Sequence, residues 1–221
     1  MTHRSLTTTV VALCTVLTAH NPVLAVNPEM CAFYADSAVD AQAWNHRSNC
    51  RIPDSPRFSS DKAHHQTWCQ SARIETVETE TGDRLNELNG CNKNTMCESY
   101  ASSAKQFADL NGSLHCGFGG PRWNPDREAH KAYCMQTDKE NSYSEARGRI
   151  ADMDRCTTCD LYAKEALRYV NLRAISRCGK GAGPRWSTDR QVHFGWCMAA
   201  RLSSLQPEQQ ARADEVLNCN R

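Results

Sequence analysis

PRWNPDREAHKAYC, residues 121–134, returns as PRFSSDKAHHQTWC at 56–69 and as PRWSTDRQVHFGWC at 184–197. Each copy sets a Pro-Arg-aromatic turn ahead of an aspartate, a histidine four residues after it, and an aromatic-cysteine pair. These copies belong to a longer period. The cysteines after residue 25 fall at 31, 50, 69, 91, then 97, 116, 134, 156, then 159, 178, 197, 219. Tyr34, Tyr100 and Tyr162 follow the first cysteine of each set by three residues, and Arg84, Arg149 and Arg212 precede the last by seven. A fixed interval shared by so many unlike residues marks an internal repeat. The chain divides accordingly into 26–91, 92–156 and 157–221, behind a leader at 1–25.

The leader reads as an export signal: a basic MTHR start, an apolar stretch from Ser5 to Ala19, and small residues ending at Ala25, where cleavage is expected. No segment approaches the roughly 20 apolar residues of a spanning helix, so no transmembrane segment is expected. Export places the product in the periplasm or outside the cell. There, twelve cysteines are expected as disulfides rather than zinc thiolates. Of 26 basic residues only Arg4 lies in the leader, and 26 − 1 = 25 basic side chains then balance 25 acidic ones. Such a balance gives no reason to expect nucleic acid as a partner.

Each period reads as helical, and the expected class is all-α: three tandem disulfide-stapled three-helix units of about 60 residues, a size at which a core alone is marginal. The first helix carries Tyr and Ala at helical spacing, as in Tyr162, Ala166 and Val170, and is capped at Asn27-Pro28 in the first unit and at Thr95-x-x-Glu98 in the second. The second starts at Asp61, Asp126 or Asp189, whose carboxylate suits an N-cap, and runs to about Thr81-Gly82 or Leu205-Gln206. The third carries the repeated arginine into the fourth cysteine. Up-down-up helices favour first-to-third and second-to-fourth pairing: Cys31–Cys69, Cys50–Cys91, Cys97–Cys134, Cys116–Cys156, Cys159–Cys197 and Cys178–Cys219. Short linkers at Asn92–Met96 and Thr157-Thr158 are expected to separate the units.

The repeated corner is the candidate ligand site: Arg57 and Phe58, Arg122 and Trp123, Arg185 and Trp186, with His65, His130 and His193. A guanidinium fork beside a flat ring suits a sugar or a carboxylate. The same residues also suit a fold corner, with Asp capping a helix, Arg pairing with acids and the aromatic packing inward. The arginine and the aromatic after it are expected to be exposed, and the aromatic before the third cysteine to be core. Asp and His four apart make half of a tetrahedral metal site, and no metal or other cofactor is expected. Cys156-Thr157-Thr158-Cys159 has redox spacing but straddles two units, and the glycines of 179–183 lack the strand and Lys-Ser/Thr of a phosphate loop. Asn111-Gly112-Ser113 fits a glycan acceptor. No nucleophile recurs with a base, so no catalytic residue is assigned. The expectation is a non-catalytic, multivalent binding or scaffold protein whose partner is a cell-envelope glycan or protein; the alternative is an extracytoplasmic enzyme or metal-binding protein using a histidine between units.

Overall fold

The computed structural model describes residues 26–176 and 183–219. The leader at 1–25 and Cys178 lie outside them. All regular structure among the described residues is helical. Eight α-helices follow in order: α1 Pro28–Arg47, α2 Lys62–Ser71, α3 Ile74–Cys91, α4 Lys93–Leu114, α5 Arg127–Gln136, α6 Lys139–Ile175, α7 Arg190–Ala199 and α8 Leu205–Leu217. Five disulfides fall among the described residues: Cys31–Cys69, Cys50–Cys91, Cys97–Cys134, Cys116–Cys156 and Cys159–Cys197.

Local chemistry sets the helix starts. Asp61 accepts from the His64 N–H at 3.1 Å, Asp126 from Glu128 at 2.9 Å and Asp189 from Gln191 at 2.8 Å, so each short helix opens on a side-chain cap. Asn27 caps α1 by accepting from the Glu29 N–H at 2.8 Å. For α4 the cap is Asn92, which takes both the Thr95 N–H and the Thr95 hydroxyl; Thr95 lies inside the first turn rather than at its head.

Two boundaries differ from the sequence reading. The second helices end soon after their third cysteine, at Ser71, Gln136 and Ala199, where Ala72, Thr137 and Ala200 turn extended. Gly82 therefore does not end a helix. It sits within α3 where that helix crosses α6, and a Cβ placed on it would lie 3.9 Å from Arg147 Cδ. The linkers do not hold the thirds apart either. Asn92 closes α3 and opens α4 in a single residue, and Thr157 is fully buried inside α6, which runs unbroken through both Cys156 and Cys159. With no glycine or proline between Asp152 and Leu161, nothing in the backbone interrupts that helix.

The core is correspondingly shared. One buried cluster takes Met30, Tyr34 and Val77 from the first third, Phe107, Leu110 and Ile150 from the second, and Tyr162, Phe194 and Leu205 from the last. A second cluster joins Phe58, Leu85 and Leu88 to Met96, Tyr100 and Tyr143. Arg155 ties the last third to the middle by donating to the Met198 and Ala200 carbonyls at 2.7 and 2.6 Å.

Candidate functional site

The repeated corner carries the same arginine clamp in all three copies. In the second and third copies Pro121–Trp123 and Pro184–Trp186 form a single 3-10 turn, entered through Gly120 at φ 87° and Gly183 at φ 138°, backbone angles that favour glycine. The turn delivers its arginine to the last helix of its cysteine set. Arg57 donates through Nε to Glu80 at 2.8 Å and through Nη2 to Glu80 and Asp83 at 2.9 and 3.0 Å, and it also pairs with Glu87. Arg122 forks onto Glu145 at 2.7 and 3.0 Å and reaches Asp152 at 3.2 Å. Arg185 forks onto Glu208 at 2.8 and 2.9 Å and pairs with Glu215. Hydrogen bonds to these glutamates raise the affinity of all three guanidiniums for their proton. The bond from Arg122 correspondingly lowers the Glu145 carboxyl below its ordinary range. In the middle copy Gly148 makes room for this clamp: a Cβ there would stand 3.0 Å from Arg122 Nη1.

Beneath each clamp lies a second arginine. Arg84, Arg149 and Arg212 are buried, and their Nε groups donate to the carbonyls of Arg57, Arg122 and Arg185 at 3.2, 3.0 and 3.3 Å. Their outer nitrogens donate to the hydroxyls of Tyr34, Tyr100 and Tyr162 at 2.9, 3.1 and 2.8 Å. Each guanidinium also stands 5.0 to 5.3 Å from the centre of that tyrosine ring, within cation–π reach. Burial raises the phenol pKa of all three tyrosines, which therefore stay neutral donors and acceptors.

The histidines complete the same lattice. His65, His130 and His193 are buried, and their Nε2 atoms lie 2.9, 2.7 and 2.8 Å from the carbonyls of Ser59, Asn124 and Ser187. A carbonyl only accepts, so Nε2 carries the proton. Nδ1 of His130 and of His193 then faces Arg149 and Arg212 at 3.4 Å. Burial, and after it the neighbouring arginine charge, holds His65 and His130 below the ordinary histidine pKa against the opposing pull of the carbonyl bond. The aspartate four residues earlier serves the helix N-terminus instead of the histidine. Among the described residues no group of three or more His, Cys, Asp or Glu side chains is placed to hold a metal ion.

The aromatics depart from expectation, most fully in the second copy. Phe58 and Trp123 are buried, Trp123 stacking on Phe118 with centroids 4.9 Å apart, and Trp186 is half-buried with Nε1 donating to Glu215 at 3.0 Å. The residues before the third cysteines lie outside: Tyr133 and Trp196 are exposed and Trp68 half-buried. One step of helix rotation separates them from the cysteine that anchors the core. Their rings rest on the buried tyrosines, at 5.5 Å for Trp68 on Tyr34, 6.4 Å for Tyr133 on Tyr100 and 5.2 Å for Trp196 on Tyr162.

Three repeated positions escaped the sequence reading although their signal is in the chain. Glu80, Glu145 and Glu208 stand four before the buried arginine, and Glu87, Asp152 and Glu215 three after it, giving E-x-x-x-R-x-x-[ED]-x-x-x-C in every copy. Asn45 and Asn111 form another pair: each carboxamide bonds both ways with one backbone residue, Ile52 or Phe118, at 2.9 to 3.2 Å. Asn111 is thus buried and engaged, a poor fit to a glycan acceptor. No family model matches this chain, and neither a curated protein nor a solved structure matches it.

Proposed function

We propose that the chain is an exported, non-catalytic array of three tandem disulfide-stapled three-helix units, acting in the periplasm or outside the cell as a multivalent binding or scaffold module for envelope glycans or proteins. Five disulfides are consistent with an oxidising compartment, and no helix among the described residues is long and apolar enough to cross a membrane. The observation that carries the binding reading is the division of labour inside the repeat. The corner arginine and the histidine are engaged by the fold's own acids and carbonyls, whereas an aromatic at one fixed position stays at the surface, as Tyr133 and Trp196.

These rings are pre-organised. Each lies on a buried tyrosine whose hydroxyl is fixed by a buried arginine, so little side-chain freedom is lost when a ligand stacks on it. A sugar face or a partner's apolar side chain suits such a platform. Several weak equivalent platforms on one body gain by avidity when their spacing matches the target.

The test is co-sedimentation of the mature chain with insoluble envelope polysaccharide. Tyr133→Ala and Trp196→Ala are each expected to weaken binding in part, and the double variant to lose most of it while keeping its helical signal and bridges. Abolition by either single substitution would point to one elaborated site instead of repeated equivalents. Full binding by the double variant would refute the aromatic platform.

A further inference from the structure

The first and second thirds meet in an arrangement that the last third leaves unused. Helices α3 and α6 cross with Gly82 against Arg147, while Asn86 Oδ1 accepts from Tyr143 at 3.3 Å and from Lys139 at 3.2 Å. Residue numbers rise along one helix as they fall along the other, so the pair is antiparallel. Gly82 and Arg147 are also repeat equivalents, related by the shift that carries Cys91 to Cys156. The same holds one layer deeper. A small space between the thirds is lined by Ser37 with Ser103 and by Ala41 with Phe107, pairs related by the shift from Cys31 to Cys97, and by Arg84 with Arg149. A contact in which equivalent positions face each other is a local two-fold, the geometry of an isologous dimer built into one chain.

The last third carries the same face without a counterpart. Ser99 lines the shared space at 4% exposure and Leu110 is 2% exposed in the core shared with α1; their equivalents on α6, Leu161 and Leu172, are 47% and 37% exposed. Leu217 on α8, equivalent to Asp154, is 73% exposed. The charged groups on this face are engaged within it. Arg168 forks onto Glu165 at 2.8 and 2.5 Å, and Gln210 donates to Asp214 at 2.9 Å. Gln210 is the equivalent of Gly82 and Arg147, so that self-facing position is neutral, while Glu165, the equivalent of Ser37 and Ser103, has its charge offset by Arg168.

We infer that a second copy of this chain covers this face, the two last thirds pairing about a true two-fold as the first two thirds pair about a local one. A self-complementary surface is needed for such a dimer, and the first two thirds supply its pattern. Leu161 and Leu172 lie on one face of α6 about three turns apart with the Glu165–Arg168 pair between them, so each leucine offers an apolar contact on its own side of a polar middle.

The experiment is sedimentation equilibrium of the oxidised mature chain, alongside the variant Leu161→Glu/Leu172→Glu and the single variant Gln210→Cys. Wild type is expected to show a concentration-dependent monomer–dimer equilibrium. The double variant should associate more weakly, by roughly tenfold or more, because each new carboxylate would be buried against the partner copy without a counter-charge. Both leucines are exposed in the monomer, so helical signal and absence of free thiols should be retained. Gln210→Cys should form an interchain disulfide through residue 210, located by peptide mapping, whereas Glu128→Cys on α5 should not. A wild type that stays monomeric at every concentration overturns the inference. So does a dimer that survives the double variant, or one in which cysteine 210 is no more readily bridged between chains than cysteine 128.

Discussion

Arg149 is buried, and its guanidinium is held by the Arg122 carbonyl, the Tyr100 hydroxyl and the tyrosine face. Replacing it with methionine keeps the length but leaves those buried polar groups without their donor. Arg149→Met should therefore cost about 3 kcal/mol, the range for breaking a buried charged network from one side. Arg122 is more than one-third exposed and its partners are partly in water, so Arg122→Ala should cost only about 1 kcal/mol. Denaturant midpoints at constant slope measure both, and equal losses would contradict this ordering. Histidine gives the pH dependence. Native His65 and His130 bind a proton less readily than in the unfolded chain, so the unfolded state takes up more protons as acid is added. Their contribution is fully present above about pH 6.5 and declines as pH falls from there toward the lowered native values. Glu145, depressed by Arg122, acts in a separate window, losing its contribution only as pH falls below its unfolded value of about 4.3. Chemical denaturation at pH 7.5 and 5.5 should show the histidine loss, and His130→Gln should shrink the difference.

At the scale of the helix, Asp126 accepts two backbone N–H groups, from Glu128 at 2.9 Å and Ala129 at 3.4 Å, and Asp126→Ala should lower stability by about 1 kcal/mol. Asp126→Asn, which still caps, should cost less, and the comparison of midpoints separates cap from charge. Caps of this kind were readable from the sequence because they depend on one residue and the backbone beside it. Helical class was readable for a similar reason: Tyr, Ala and Val recur at helical spacing with no alternating stretch to compete. Boundaries that depend on neighbours were not. Gly82 looks like a terminator until α6 is seen to cross there, and Thr157-Thr158 looks like a linker until both are found inside a continuous helix. The aromatics show the same limit. Nothing in Trp123 or Trp196 as letters says that the first stacks on Phe118 while the second lies outside over Tyr162. The acids that hold the corner arginines were legible, but only to a reading that aligned the last helix of each copy as closely as the corner itself.

For the whole molecule, the repeat and the packing make opposite predictions about unfolding. Three units joined by linkers would melt independently, each losing its own helices. The structure instead runs α6 through the second and last cysteine sets and places Met30, Ile150 and Phe194 in one cluster. Exposing any third would strip apolar cover from another, so the described thirds should unfold together. Opening one bridge tests this. Cys97→Ser with Cys134→Ser removes a cross-link spanning 37 residues, a loss of roughly 3 to 4 kcal/mol in the chain-entropy account. Tryptophans report from different places: Trp68 in the first third, Trp123 in the second and Trp196 in the last. Variants retaining only one of these three, with the other two and Trp44 and Trp186 as phenylalanine, should show the same lowered midpoint once that bridge is removed, coincident with loss of helical signal. A midpoint shift confined to Trp123, with Trp68 and Trp196 unmoved, would mean that each cysteine set stabilises its own third and that the shared cluster contributes little cooperativity.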